Sequence, residues 1–140
     1  MTISAISAQE IAEQQLLAAL RLWAEKDYVS SLTLAGAAEE ILGKRLRKLG
    51  REPSFDQLKN LIVALAKSEG DNEPNTEQIV ANLLNDTKNA LKHYAGDESL
   101  NLDLRADASE ILERALANHH VLTGVILEEA MPFWADVSAA

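Results

Sequence analysis

Apolar residues recur at three- and four-residue intervals along most of the chain, which is the spacing of an amphipathic helix. Leu16, Leu20 and Trp23 share one face of the first such segment, and Ser7 with Glu10 forms a capping box before it. No segment of useful length alternates apolar and polar residues as a strand does. The pattern therefore predicts five helices, over residues 8–26, 28–49, 54–68, 75–94 and 105–130.

The breaks between these segments are short. Gly50 follows the second helix, Pro53 precedes the third, and residues 95–103 connect the fourth helix to the last. Connections of roughly two to nine residues favour antiparallel neighbours. We therefore predict an all-α protein, an up-and-down antiparallel bundle of about five helices with a four-helix core. Residues 1–140 would form one domain, ending in a C-terminal tail at 131–140.

Composition agrees with a helical globular domain. Of the 140 residues, 47% are hydrophobic and only 4% are aromatic, with six glycines and three prolines. The chain has no cysteine, which excludes disulfides, thiolate catalysis and iron–sulfur clusters. The N-terminus lacks the pattern of a signal peptide, and no run of about 18 apolar residues occurs. We expect a cytoplasmic protein without a membrane partner.

The net charge is −9, which disfavours a function that depends on a generally basic surface. The basic residues between positions 44 and 51 form one cluster, consisting of Lys44, Arg45, Arg47, Lys48 and Arg51. These cations suit the negative end of a helix dipole, or they form a patch that grips a polyanion backbone. Nothing in the sequence indicates a recognition helix for a DNA groove, so no DNA partner is expected.

Glu39 occupies an unusual position on the second helix. It falls within the apolar stripe, between Leu32 and Leu46. A buried carboxylate is costly unless it is paired or hydrogen-bonded. Glu39 therefore either lies at the edge of the stripe and reaches solvent, or is buried against a basic partner.

The fourth predicted helix has an apolar face and a polar face without acidic residues, which carries Asn82, Asn85, Lys88, Asn89, Lys92 and His93. Amide, ammonium and imidazole groups are donors suited to a phosphate or a carboxylate. The alternative is a solvated helix face, on which Lys92 and His93 are stabilised by the helix dipole.

Metal and cofactor chemistry have little support in the sequence. His119 lies within the apolar stripe of the last helix and His120 at its edge, and adjacent helical positions point about 100° apart. The Glu-x-x-His pairs of di-iron bundles and the common enzyme motifs are not found. We expect no metal and no cofactor.

Two segments resemble the HEPN superfamily of small helical bundles and, within it, a group of short bacterial proteins. They are residues 27–44 (DYVSSLTLAGAAEEILGK) and 85–93 (NDTKNALKH). HEPN domains carry an arginine, a polar residue and a histidine, and Lys88, Asn89 and His93 take these places here. Lysine offers a point charge where arginine offers a two-pronged clamp, so phosphate binding would be weaker.

The resemblance implies a homodimer whose two motifs face each other across a cleft, and RNA cleavage without a metal. His93 would act as general acid and base, Lys88 would stabilise charge on the phosphoryl oxygens, and Asn89 would orient either group. Glu39 would position Lys88 or His93. Asn85, Lys92 and Lys44 would bind the ligand, which is RNA or a nucleotide, with ribonuclease activity weak or lost.

A second hypothesis is a non-enzymatic interaction or dimerisation module that partners another protein. In that case the polar face of the fourth helix is a contact surface. Phe133 and Trp134 in the tail would then serve as an aromatic anchor for the partner.

Overall fold

The structure, a computed structural model, describes residues 2–94, 96 and 99–139. Residues 95, 97 and 98 of the predicted connection and residue 140 of the predicted tail lie outside this description. The described residues form seven α-helices, one 3₁₀ turn (Glu128–Ala130) and no strand. The helices are α1 (Ala8–Ala24), α2 (Tyr28–Lys48), α3 (Ser54–Ser68), α4 (Thr76–Leu84), α5 (Asp86–His93), α6 (Leu104–Thr123) and α7 (Met131–Ser138). The all-α prediction is confirmed, and the predicted number of five helices is wrong.

The long helix α2 lies at the centre and packs chiefly against α1 and α6. Leu16 of α1, Leu32 and Leu42 of α2, and Leu112 of α6 are fully buried between them. Each such leucine contributes about 1.5–3 kcal/mol through removal of its side chain from water. The packing of α1, α2 and α6 therefore provides the rigid frame on which the polar side chains described below are held.

Local signals in the sequence set most helix ends. The Ser7 hydroxyl accepts from the Glu10 amide at 3.1 Å, and Asp27 accepts from the Ser30 amide at 3.2 Å. Gly50 has φ +71°, a left-handed conformation that glycine adopts without strain, and the next amide, of Arg51, donates to the Leu46 carbonyl. These caps confirm the predicted starts of α1 and α2 and the predicted end of α2.

The fourth predicted helix is interrupted at Asn85, which ends α4 and begins α5. In a continuous helix the Leu84 carbonyl would accept from the amide of Lys88, four residues later. It instead accepts from Nη1 of Arg114 at 3.0 Å, and the Asn85 side chain accepts from Nη2 of the same residue. Arg114 thus replaces a backbone amide as the donor to the Leu84 carbonyl, and the regular hydrogen bonding of the helix is interrupted. The polar face predicted for one helix is therefore divided between α4 and α5.

The last predicted helix also differs from the prediction. It ends at Thr123, where Gly124 adopts a left-handed φ of 73°. Pro132 does not end a helix but lies in the first turn of α7, where proline's missing amide costs nothing. Phe133 is buried with its ring centroid 5.0 Å from that of Trp23, so this aromatic residue is part of the core and not an exposed anchor.

Helices α3 and α4 pack against each other at the edge of the bundle. No described residue of α3 is fully buried, and Leu61, Leu65, Ile79 and Leu83 are exposed. Within the described ranges, none of the helices combines the length and apolar character needed to cross a bilayer.

Candidate functional site

A buried ion pair joins α2 to α6. Glu39 of α2 is 4% exposed and Arg114 of α6 is 5% exposed. Nη2 of Arg114 donates to Oε1 of Glu39 at 2.9 Å, and Nε donates to Oε2, so the guanidinium grips the carboxylate with two parallel hydrogen bonds. Of the two alternatives for Glu39, burial against a basic partner is confirmed.

The remaining donors of Arg114 fasten the junction between α4 and α5. They reach the Leu84 carbonyl and the Asn85 side chain, each at 3.0 Å. The face of the guanidinium lies 5.1 Å from the ring centre of Phe55 on α3, a cation–π distance. Arg114 therefore links α6 to α2, α3 and the α4–α5 junction, and this single side chain fixes where α5 begins.

Lys88 of α5 reaches back to the same carboxylate. Its Nζ lies 3.1 Å from Glu40 and 3.6 Å from Glu39, and its side chain is only 10% exposed. The stem of Lys88 crosses α2 at Gly36, where an added Cβ would lie 2.7 Å from its Cδ. The absent side chain at Gly36 therefore gives Lys88 its path to the two glutamates.

These groups surround a cavity of about 150 Å³, which we name the polar pocket. Its charged lining consists of Glu39, Glu40, Lys44, Arg47, Lys88 and Arg114. Four cations thus face two carboxylates, although the whole chain carries a net charge of −9. The pocket is a local basic site on an acidic protein.

The electrostatics of Glu40 reflect this basic surrounding. Partial burial acts to raise the pKa of Glu40, but the hydrogen bond from Lys88 and the charges of Lys88, Lys92 and Lys44 outweigh it. The pKa of Glu40 is therefore lowered from its ordinary value of 4.5. Glu40 stays ionised at neutral pH and neutralises one of the pocket's cations.

Arg47 is also compensated, since it donates to both oxygens of Asp56 at 2.9 and 3.1 Å. The hydrogen bond from Arg47 holds the pKa of Asp56 below its ordinary range. Lys44 is exposed at the pocket wall and forms no ion pair with any residue that the structure describes. Lys44 is therefore the cation with the most freedom to meet a ligand.

The structure brings together four of the seven residues selected from the sequence. Glu39, Lys44, Asn85 and Lys88 line the polar pocket. Lys92 lies beside it, in a second cavity of about 200 Å³ that also contains Gly36 and Leu91. Asn89 and His93 are both exposed and lie one turn apart on α5.

Sequence reasoning missed Arg114 and Asn118, which lie one turn apart on α6 and are both buried. Asn118 accepts from the Ser54 amide at 2.8 Å and so fixes the start of α3 beside the pocket. The signal was present, because Arg114 falls within an apolar stripe as Glu39 does. Two opposite charges in the stripes of the two longest helices could have been paired.

The spacing of a basic residue and a histidine also occurs on α6, at Arg114 and His119. The His119 side chain contacts α1 and not the polar pocket, since its Nε2 lies 3.0 Å from a carboxylate oxygen of Glu13. His119 is buried in that contact and does not line the polar pocket. This second pair therefore does not form a joint site.

The residues that the structure describes contain no cluster of three or more histidine and acidic side chains placed to hold a metal ion. No protein-family model, curated protein or solved structure matches the chain. The functional assignment therefore depends on the geometry and charge of the site.

Proposed function

We propose that this protein is a HEPN-like helical bundle that binds the phosphate groups of RNA or of a nucleotide in the polar pocket, with ribonuclease activity weak or lost. One observation carries the proposal: four cations converge on a cavity lined by two carboxylates, and after Arg47 is paired with Asp56 the ammonium of Lys44 still has no ion pair within the described residues. Ammonium and guanidinium groups are the usual partners of phosphate oxygens in proteins. An excess of cations in an otherwise acidic chain supports a ligand of negative charge.

Lys44 and Lys88 have different parts in this proposal. Lys88 is held between Glu39 and Glu40, so it presents a fixed donor at the pocket wall. Lys44 lies at the exposed side and would meet the phosphate first. The buried pair of Glu39 and Arg114 positions Lys88 and the α4–α5 junction, and we assign these two residues a positioning role.

The arrangement favours binding over cleavage. Metal-independent cleavage of RNA needs a general acid or base within hydrogen-bond reach of the reacting oxygen. His93 is exposed on α5, while Lys88 is engaged with two carboxylates. Within one chain these two groups do not converge on the polar pocket.

Fluorescence anisotropy with a labelled RNA oligonucleotide tests the proposal. Lys44→Gln removes a pocket cation that forms no ion pair in the described part of the chain, so the fold should be kept. Arg45→Gln removes an equal charge from the next residue, which does not line the pocket. We expect Lys44→Gln to weaken binding about three- to tenfold and Arg45→Gln to change it far less. Equal effects of both variants, or no binding that weakens with added salt, would contradict the proposal.

Competition experiments separate the two ligand sources. If the pocket recognises a phosphate group, AMP should displace the labelled RNA, whereas adenosine should not. Displacement by RNA alone would assign the pocket to a polynucleotide. If adenosine displaces the RNA as readily as AMP does, phosphate is not the group that the pocket recognises.

The second candidate function is a non-enzymatic dimerisation module. It is favoured by the exposed apolar residues on α3 and α4, which are Leu61, Leu65, Ile79 and Leu83. Each pair is one turn apart and presents an apolar strip to solvent. Light scattering tests this candidate, because Leu61→Glu should convert a dimer to a monomer while an exposed polar control, Gln78→Glu, should not. If the wild-type protein is a monomer at high micromolar concentration, that result would contradict both the dimerisation module and a cleft shared between two copies.

A further inference from the structure

A further cavity lies beside the aromatic side chains at the α1–α2 turn and on α7, and it shares no lining residue with the polar pocket. Its volume is about 700 Å³, within the range of about 300–1,000 Å³ that small-molecule sites occupy. Its aromatic and aliphatic lining includes Leu17, Leu20, Trp23, Tyr28, Pro132 and Phe133. We name it the Trp23 cavity.

The aromatic wall of the Trp23 cavity is held rigidly. The Trp23 ring packs edge-on against Tyr28 and Phe133, with centroids 4.9 and 5.0 Å away. Its indole N–H donates to Asp136 at 3.1 Å, and Arg105 lies 5.3 Å from the indole ring. Because these side chains are already ordered, a ligand binds to this apolar wall without an entropy loss from ordering them.

The charged residues around the cavity indicate the sign of the charge that its ligand carries. Asp136 is already compensated, since it pairs with Arg105 at 3.3 Å. Arg21 and Lys26 also line the cavity, and neither forms an ion pair with any residue in the described ranges. Glu129 is the remaining carboxylate of the lining. Two uncompensated cations therefore face one carboxylate.

Lys26 supplies an independent observation. It has φ 65°, which makes it the one described non-glycine residue with a left-handed backbone conformation. At the C-terminal turn of a helix this position normally carries glycine, because a side chain there costs about 1 kcal/mol or more. The chain instead places an ammonium group at the edge of an apolar cavity.

From the apolar wall and the two cations, we propose that the Trp23 cavity binds a small amphipathic carboxylate. The apolar part of the ligand lies against Trp23 and Phe133, and its carboxylate meets Arg21 and Lys26. The ligand class is thus an aliphatic or aromatic acid. This site is independent of the polar pocket.

Isothermal titration calorimetry with decanoate, below its micelle concentration, tests the proposal, and decanol is the uncharged control. We expect saturable binding of decanoate, and binding of decanol about three- to tenfold weaker, because decanol gains no charge contact. Lys26→Gly and Arg21→Gln should each weaken decanoate binding and leave decanol binding unchanged. Lys26→Gly should also keep or raise the unfolding temperature, because glycine suits this φ.

Two further variants complete the design. Ala24→Trp places a large side chain at the exposed cavity wall and should abolish the binding of both molecules, while Arg45→Gln should change neither. Circular dichroism verifies that each variant is folded. Equal affinity for decanol and decanoate, no binding of decanoate, or binding that survives Ala24→Trp would overturn the proposal.

Discussion

Removal of one partner of the buried Glu39–Arg114 ion pair should lower the free energy of unfolding by several kilocalories per mole. In Arg114→Met, the carboxylate of Glu39 stays buried and keeps only the ammonium of Lys88, at 3.6 Å. The Leu84 carbonyl and the Asn85 side chain lose their donor as well. We expect a loss of about 3–5 kcal/mol in the free energy of unfolding.

Arg47 and Asp56 provide a matched control. Their two hydrogen bonds have a similar geometry, but the Arg47 side chain is 48% exposed. An exposed pair contributes about 0–1 kcal/mol, so Arg47→Met should cost no more than that. Burial is therefore the variable that separates the two substitutions.

Urea unfolding monitored by circular dichroism measures both variants. A domain of this length has a total stability of roughly 7–20 kcal/mol, so Arg114→Met remains folded enough for the measurement. The double variant Glu39→Met with Arg114→Met removes both charges. It should be much more stable than the sum of the two single losses implies, because no charge is left buried without a partner. A loss below about 1 kcal/mol for Arg114→Met, or additive single losses, would refute the reasoning.

Three further predictions concern Gly36, Glu40 and His93. Gly36→Ala should displace Lys88, so RNA binding falls, while stability changes by less than about 1 kcal/mol because alanine favours the helix. Glu40 has a lowered pKa in the folded protein, so its contribution to stability is present above pH 4.5 and is lost as the pH falls through the folded value. Urea unfolding at neutral and acidic pH should show a smaller acid-induced loss for Glu40→Gln than for wild type, and equal losses would contradict this. His93→Ala should leave RNA affinity within about twofold of wild type, and RNA cleavage in EDTA, weak or absent in wild type, should not change in the variant. Cleavage by wild type that His93→Ala abolishes would restore a catalytic role.

Local signals in the sequence were sufficient for several helix ends, and they singled out one charge in an apolar stripe. The side chains of Ser7 and Asp27 cap helices within three residues of themselves, so their effect is visible in the sequence. The position of Glu39 in an apolar stripe likewise marked it as unusual, but the choice between solvent exposure and burial was made only by the structure, in which Arg114 pairs with it. These features depend on neighbours along the chain or on helical periodicity alone.

The break at Asn85 could not be predicted in that way. It depends on Arg114, which is 30 residues from Leu84 in sequence and reaches it only because α6 packs against α2. The same long-range contact divides the polar face predicted for one helix and fixes where α5 begins. Sequence periodicity assumed one unbroken helix and therefore placed all six polar residues on a common face.

The end of the chain shows a different limit. The predicted last helix stops at residue 130, two residues before Pro132, yet proline is favoured in the first turn of a helix, and α7 begins there. The burial of Phe133 depends on its contact with Trp23, which is 110 residues earlier in the chain. An exposed aromatic anchor and a core aromatic cannot be distinguished from sequence spacing when the partner is so distant.

An NMR titration of the isotope-labelled protein with AMP, compared with adenosine, tests phosphate binding in the polar pocket most directly. We expect AMP to shift the backbone amide signals of Gly43, Lys44, Asn85 and Lys88 saturably, and adenosine to leave them unchanged. Unchanged signals at these four residues, or equal shifts with adenosine, would contradict the assignment of this pocket to a phosphate group.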